Sequence, residues 1–398
     1  MTARASLLLA LVALVSALSA EPRHIELGYP QLKERVEVYF PENHDPARKW
    51  PAIFYYHGTN GTPDTRLIRH HTREQNWFVV AMGYVQRGKF TYTKETLADE
   101  LQILHSTRHH LASKHNLDPK RVYVAGFSKG GWMADLMLQS DRTLAGAVIL
   151  GAGHLHESSS NPSRLPGSTA VFVGVGREDG NYPFGLRAIT FYRGLGASTT
   201  FETWDGLGHA FPQSGSQALT QWLAIQGDPD ADHKAAAREW VATRLPEIDA
   251  IPDPANRWAA LRAAEATPYA TIDAPTKAMI SAKRTALERT AVVSREAGLL
   301  ASHRKLLLTE VKDPGREDYL KLATAYKQIH ANNPTTRQGT IAKADYERVT
   351  QLLKHFEEQD KIRKEDKEPF GQPGKDNPFD PGKAPDPRPR IPGNPLVR

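Results

Sequence analysis

Short apolar runs alternate with helical periodicity along the first 225 or so residues of this chain. Runs at 35–40, 52–57, 77–82, 122–127, 145–150, 170–175 and 200–204 are rich in Val, Ile, Phe, Tyr and Trp. Most are almost continuously apolar, as in Ala52-Ile53-Phe54-Tyr55-Tyr56, which suits strands covered on both faces of a parallel sheet. Between them lie helical patterns. The clearest spans 95–115, where Leu97, Leu101, Leu104 and Leu111 share one side. Others fall at 130–140, 184–195 and 216–224. Strands alternating with helices predict a three-layer α/β domain.

The pattern changes after Gln226-Gly227-Asp228-Pro229. No strand pattern follows, and helices are predicted at 232–245, 254–266, 275–310, 316–331 and 339–362. Tyr319, Leu322, Tyr326 and Ile329 form one apolar stripe, and Tyr346, Val349, Leu353 and Phe356 form another. Such stripes need a partner, and packing on each other in a small bundle supplies one. Asp313-Pro314-Gly315 reads as a turn between two of the helices. From Lys367 the chain is rich in Pro and Gly with two aromatics, Phe370 and Phe379, a composition expected to stay disordered. The expected division is therefore 1–20, 21–228, 229–364 and 365–398.

Composition narrows the function. The net charge of +6 is spread along the chain and makes no basic face, so nucleic acid is not an expected partner. A mean hydropathy of -0.51 argues against a multi-span membrane protein. Arg4 precedes an apolar run over residues 6–16, and Ala17-Leu18-Ser19-Ala20 follows it, the pattern of a secretory signal peptide cleaved near Ser19 or Ala20. A secreted or periplasmic protein is expected, with an uncleaved membrane anchor as the lesser alternative, because the run is short for a membrane span. The chain has no cysteine, which removes disulfides, thiolate metal sites and a cysteine nucleophile together.

The chemistry centres on Val122-Tyr123-Val124-Ala125-Gly126-Phe127-Ser128-Lys129-Gly130-Gly131, an apolar strand running through G-x-S-x-G into a helix. That turn lifts a serine hydroxyl clear of the sheet, and its tightness calls for glycine two residues before and two after. A serine hydroxyl also needs a base, and the base an orienting carboxylate. On this architecture the acid and then the histidine follow the serine. Asp179 lies in the loop after the strand at 170–175, and His209 in the loop after 200–204. Glu178 and then Asp205 are the alternative acids. His154 and His156 precede the acid and break the order, and His154-Leu155-His156-Glu157 reads as a polar loop rather than a metal site. His70, His71, His105, His109, His110 and His115 read as surface residues. The oxyanion donors are expected to be the amides of Lys129 and of Thr59, with Asn60 as the second choice to Thr59. The Lys129 side chain is expected to face solvent. His57, Asn60 and Trp132 are candidate pocket residues, Trp132 being equally readable as packing. There is no phosphate loop, zinc motif or dinucleotide fingerprint, and no cofactor or metal is expected.

With these elements in view, residues of about 30–225 resemble the α/β-hydrolase superfamily. They are most similar to compact secreted esterases related to dienelactone hydrolase, polyhydroxybutyrate depolymerase and feruloyl esterase. The resemblance implies a three-layer α/β-hydrolase fold with a mostly parallel sheet. It implies ester cleavage through an acyl-enzyme at Ser128, His209 and Asp179, on a small or polymer-borne ester. The chain departs from the group at Thr59, where many of its members carry cysteine, and it has no His-Gly-Gly-Gly run. The connection from Gly151 to Thr169 is too short for a sizeable lid domain. Two alternatives stand beside this reading. One is a prolyl-oligopeptidase-like peptidase or an acyltransferase on the same fold. The other is a non-catalytic protein that binds a partner or the cell envelope through its C-terminal helices.

Overall fold

The computed structural model describes residues 23–86, 94–154, 164–312 and 315–365. The expected signal peptide at 1–20, Asp313-Pro314 of the expected turn, and the Pro/Gly-rich stretch from 366 lie outside the described residues. Eight strands form one sheet: β1 (His24–Leu27), β2 (Val36–Tyr39), β3 (Trp50–Tyr56), β4 (Phe78–Met82), β5 (Leu117–Phe127), β6 (Gly146–Leu150), β7 (Ala170–Gly176) and β8 (Ser198–Trp204). Their spatial order is β1-β2-β4-β3-β5-β6-β7-β8. The pairs β1–β2 and β2–β4 are antiparallel, and every other pair is parallel. The central strands β3, β4, β6 and β7 are buried at every position, which explains their unbroken apolar runs. The register of β3 against β5 shifts between Trp50 and Ala52, at Pro51, which has no N–H to give the ladder.

Helices cover both faces. On one side α2 (Lys94–Lys114), α3 (Lys129–Ser140) and α4 (Tyr182–Gly194) bury Ile103, Leu104, Trp132, Met137 and Tyr192 against the sheet. On the other, α1 (Arg66–Thr72) and α5 (Gln217–Gly227) bury Ile68, Leu219, Trp222 and Leu223. The result is the three-layer α/β-hydrolase fold with a mostly parallel sheet. Two elements escaped the sequence pattern. Strand β1 is four residues long and half exposed at the sheet's edge, and α1 is two turns long.

The C-terminal region is helical among its described residues: α6 (His233–Asp249), α7 (Pro254–Glu265), α8 (Pro268–Ile272), α9 (Ala274–Glu288), α10 (Ala291–Glu310), α11 (Arg316–Asn332) and α12 (Arg337–Glu365). The single helix expected over 275–310 is two, divided at Arg289-Thr290. Short α8 also lies where no helix was expected. Capping chemistry bounds α8: Thr267 accepts from the amide of Ala270, and Asp273 from that of Thr276, each with a proline in the turn that follows. The two aromatic stripes pack on each other, with Tyr319, Leu322, Tyr326, Val349 and Leu353 in one core. A second core joins Val241, Ile248, Leu261 and Ile280. Among the described residues no helix is long and apolar enough to cross a membrane.

Candidate active site

Strand β5 delivers Ser128 to a turn with φ 56° and ψ -118°, a backbone region that non-glycine residues enter only under strain. Packing shows why both flanking glycines are required. A Cβ on Gly126 would lie 2.2 Å from the carbonyl carbon of Gly130, and one on Gly130 would lie 1.9 Å from the carbonyl oxygen of Tyr56. The turn is thus held between its own backbone and the end of β3, and α3 starts at the next residue.

Two further strand ends meet it. His209, after β8, points Nε2 at Ser128 Oγ across 2.8 Å, and its Nδ1 lies 2.8 Å from Asp179 Oδ2. Asp179 follows β7 and is buried at 3 % exposure, whereas the His209 side chain is 44 % exposed. The carboxylate is aimed by its own loop. Its Oδ1 accepts from the amide of Asn181 at 2.9 Å, and Asn181 Nδ2 donates to the carbonyl of Gly151 at 2.9 Å. Backbone bonds from Arg177 N to Trp204 O and from Glu178 N to Leu207 O, both 2.9 Å, tie the Asp179 loop to the His209 loop. The His209 ring pKa is raised above its ordinary value, chiefly by the Asp179 hydrogen bond, with partial burial opposing. The ring of Phe127 packs 5.3 Å from that of His209.

The other sequence-predicted residues divide. The amide of Lys129 opens α3 directly after the serine, at the end of a helix where backbone N–H groups point outward. Thr59 is exposed on the turn closed by Gly61 N to Gly58 O at 3.1 Å, and Asn60 there has φ 59°. That turn abuts the serine: a Cβ on Gly58 would lie 3.7 Å from Ser128 Cβ. His57 gives its Nδ1 proton to the carbonyl of Gly58 at 2.7 Å, and burial is the first cause lowering its pKa, with nearby Lys129 adding to it. His57 also lines a cavity of about 330 Å³ with Tyr55, Gly58, Leu67, Phe127 and Phe211. Asn60 is not among its lining residues.

Four expectations are corrected. Trp132 is not a pocket residue. At 1 % exposure it packs α3 edge-on against Phe184 in the core, because its position in the first turn of α3 faces the sheet. The Lys129 side chain does not face solvent but is buried, its ammonium 3.9 Å from the Tyr84 ring centre. Burial lowers its pKa, with Glu100 opposing. His71 is not at the surface, since it is buried against α5 with Nδ1 2.8 Å from Thr220 Oγ1. His154 does not sit in a polar loop either. It is buried, stacked on Phe191 and beside Asp135, while residues 155–157 of its cluster lie outside the described residues. Among the described residues no group of three or more His, Asp or Glu side chains is placed to hold a metal ion.

The rival acids lie elsewhere. Asp205 pairs with Arg337 of α12, and Glu178 is exposed on a cavity at the junction with the C-terminal helices. The sequence reading passed over Asn181, Phe127 and Phe211. The Asx turn at this point is a signal of Asp179, whose side chain accepts the amide two residues on, and nothing local marks the Asn181 side chain. The two phenylalanines are neighbours of Ser128 and His209 in the chain, but only the fold shows that both line one cavity.

Residues 68–244 match the sequence profile of the Dienelactone hydrolase family. A protein described as probable carboxylesterase SOBER1-like, from Arabidopsis thaliana, is 28% identical over 158 residues, which cover 37% of this chain. The match spans 60% of that curated relative's length. Among solved structures, a hyperthermophilic esterase from Pyrobaculum calidifontis overlaps 54% of this chain and 89% of its own, at 19% identity and a TM-score of 0.39. A Bacillus cereus carboxylesterase overlaps 54% of this chain and 98% of its own, at 17% identity and a TM-score of 0.40.

Proposed function

We propose that this chain, whose α/β unit has the α/β-hydrolase fold and whose residues 68–244 match the Dienelactone hydrolase family profile, is a serine hydrolase cleaving carboxylic esters through an acyl-enzyme. One observation carries the reading: a serine on a strained strand-to-helix turn, 2.8 Å from a histidine nitrogen whose other nitrogen lies 2.8 Å from a buried carboxylate. In this mechanism Ser128 Oγ attacks the ester carbonyl while His209 Nε2 takes its proton. Asp179 holds the proton on Nδ1, so that Nε2 is the basic nitrogen, and stabilises the imidazolium that forms. The amides of Lys129 and Thr59 receive the oxyanion. His209 then gives its proton to the departing alcohol. Water, deprotonated by the same nitrogen, hydrolyses the acyl-enzyme and frees Ser128.

The substrate proposed is a small or polymer-borne acyl ester. A partly aromatic cavity of about 330 Å³ supports it, bounded by Leu67, Phe211 and Phe127, the residue before the serine. Export belongs to the same proposal and rests on the apolar run ending at Ala17-Leu18-Ser19-Ala20. It is checked by the mass of the mature N-terminus, expected to begin near Glu21.

The deciding experiment is a fluorophosphonate probe on the full chain, read by peptide mass spectrometry, beside hydrolysis of p-nitrophenyl esters and peptide anilides. Labelling is expected at Ser128 and absent in Ser128→Ala, with esters turned over in preference to anilides. Undiminished labelling in Ser128→Ala sinks the mechanism, and preferential turnover of anilides moves the protein to the peptidases.

A further inference from the structure

The helical region meets the α/β unit on the same two loops that carry Asp179 and His209. Arg177 lies two residues before Asp179, yet its side chain leaves the loop on the opposite side and is buried among the C-terminal helices. There its guanidinium makes a two-pronged pair with Asp345 of α12, at 2.7 and 2.5 Å, and its face lies 4.2 Å from the Tyr182 ring centre. Asp345 is itself 1 % exposed and also meets Arg348 at 3.0 Å and His303 of α10. Arg348 reaches Glu310 at the end of α10, and Tyr326 of α11 donates to the same carboxylate at 3.2 Å. Burial alone would raise the Asp345 pKa, but the two flanking guanidinium groups hold it far below the usual carboxylate range. On the second loop, Asp205, four residues before His209, pairs with Arg337 at the start of α12. The amides of Arg337 and Gln338 are in turn held by Glu296 of α10, at 2.8 and 3.0 Å. One helix, α12, therefore grips both loops, and the ends of α10 hold α12.

We propose that Arg177 and Asp205 are positioning residues, through which helix α12 holds the Asp179 and His209 loops in mutual register, so that the helical region is a working part of the hydrolytic site. The inference rests on the serine hydrolase reading above. Apart from the Asp179–His209 bond itself, two short backbone bonds join the loops, and His209 is close to half exposed, so its place depends on what fixes the loop behind it. A bidentate arginine pair fixes direction as well as distance, which a lysine or an apolar contact does not.

The test uses the full chain in three forms: wild type, Asp345→Asn and Arg337→Gln. Active sites are counted by fluorophosphonate titration, and kcat, KM and the pH profile of p-nitrophenyl acetate hydrolysis are measured per titrated site. Both variants are expected to lose roughly tenfold in kcat, as loosened positioning of catalytic groups does, with KM within about twofold. The acid limb of kcat/KM is expected to move to lower pH, because a weakened Asp179 bond raises the His209 pKa less. Asp345→Asn leaves Arg177 buried beside a neutral group and is the variant at risk of misfolding. Arg337→Gln breaks a partly exposed pair and keeps the test decisive if Asp345→Asn fails to fold. A merely structural role predicts a lower Tm with kcat per site and the acid limb both unmoved, and that result overturns the inference. Failure of the wild type itself to label at Ser128 overturns the hydrolase reading instead.

Discussion

Replacing Asp179 with asparagine changes one atom's hydrogen-bonding character at the most constrained point of the site. The side chain is buried, and Oδ1 is committed to the amide of Asn181 at 2.9 Å. An amide nitrogen cannot accept that bond, so in Asp179→Asn the carboxamide oxygen stays there and the NH₂ takes the place of Oδ2, 2.8 Å from His209 Nδ1. Two donors then face each other. His209 relieves the clash by moving its proton to Nε2, which turns the nitrogen facing Ser128 from an acceptor into a donor. The serine proton has nowhere to go. Wrong-tautomer substitutions of this kind cost about 10⁴-fold in kcat, or about 5.4 kcal/mol of transition-state stabilisation.

The same bond controls pH dependence. Asp179 is the main cause raising the His209 pKa above 6.5, and the base works only when Nε2 is unprotonated. Activity is therefore present above that pKa and lost as pH falls through it. In Asp179→Asn the residual activity should persist to lower pH. The assay is kcat/KM for p-nitrophenyl acetate together with the second-order rate of fluorophosphonate labelling, from about pH 5 to about pH 9, a window that spans the histidine titration. Circular dichroism confirms that the variant is folded. A folded Asp179→Asn protein within tenfold of wild type on both assays would refute the assignment of the acid and point back to Glu178.

Two further outcomes follow from the surroundings. Trp132→Ala should destabilise the protein by about 3–5 kcal/mol, the usual result of removing a large buried aromatic, with KM for small esters nearly unchanged. Urea unfolding beside steady-state kinetics checks this, and a raised KM with unaltered stability would restore Trp132 to the pocket. His57→Gln should leave the acid limb of the pH profile where it is, because His57 has its pKa lowered and its Nδ1 proton engaged by Gly58. A limb that follows His57 would show that the wrong histidine has been named as base.

The α/β layer was legible because its signal is local. Strands β3, β4, β6 and β7 are buried throughout, so each wrote a run of apolar residues, and steric limits at Ser128 wrote two glycines. The loop positions of Asp179 and His209 were legible for the same reason, each following a strong strand. What stayed hidden depends on contacts distant in sequence. Strand β1 is a short edge with alternating exposure, and little burial means little pattern. His71 and His154 look polar in the chain, yet a partner 149 residues away and a stacked Phe191 account for their burial. Arg177 is the sharpest instance. It reads as one more charge in a polar loop, and its partner lies 168 residues on. The helix ends at Thr267 and Asp273 fell in the gap expected between 254–266 and 275–310, whereas the break at Arg289-Thr290 was hidden, because Thr290 makes no side-chain cap bond.

The character of the junction decides between two views of the C-terminal half. If the helices were only an appendage, an apolar seam would dock them at least as well, since taking charges out of water often costs more than the pair returns. The apolar seam here is small, consisting of Val175, Tyr182 and Leu307 with Leu186 and Phe201 around them. Beside it lies a fully buried chain from Arg177 through Asp345 and Arg348 to Glu310. Such a network stabilises only one arrangement, because a shift of a residue in either partner leaves an ion buried without its counterion. Attachment alone does not require that selectivity. A loop that must hold a carboxylate at hydrogen-bonding distance from a half-exposed histidine does, and the selective contact sits two residues from that carboxylate.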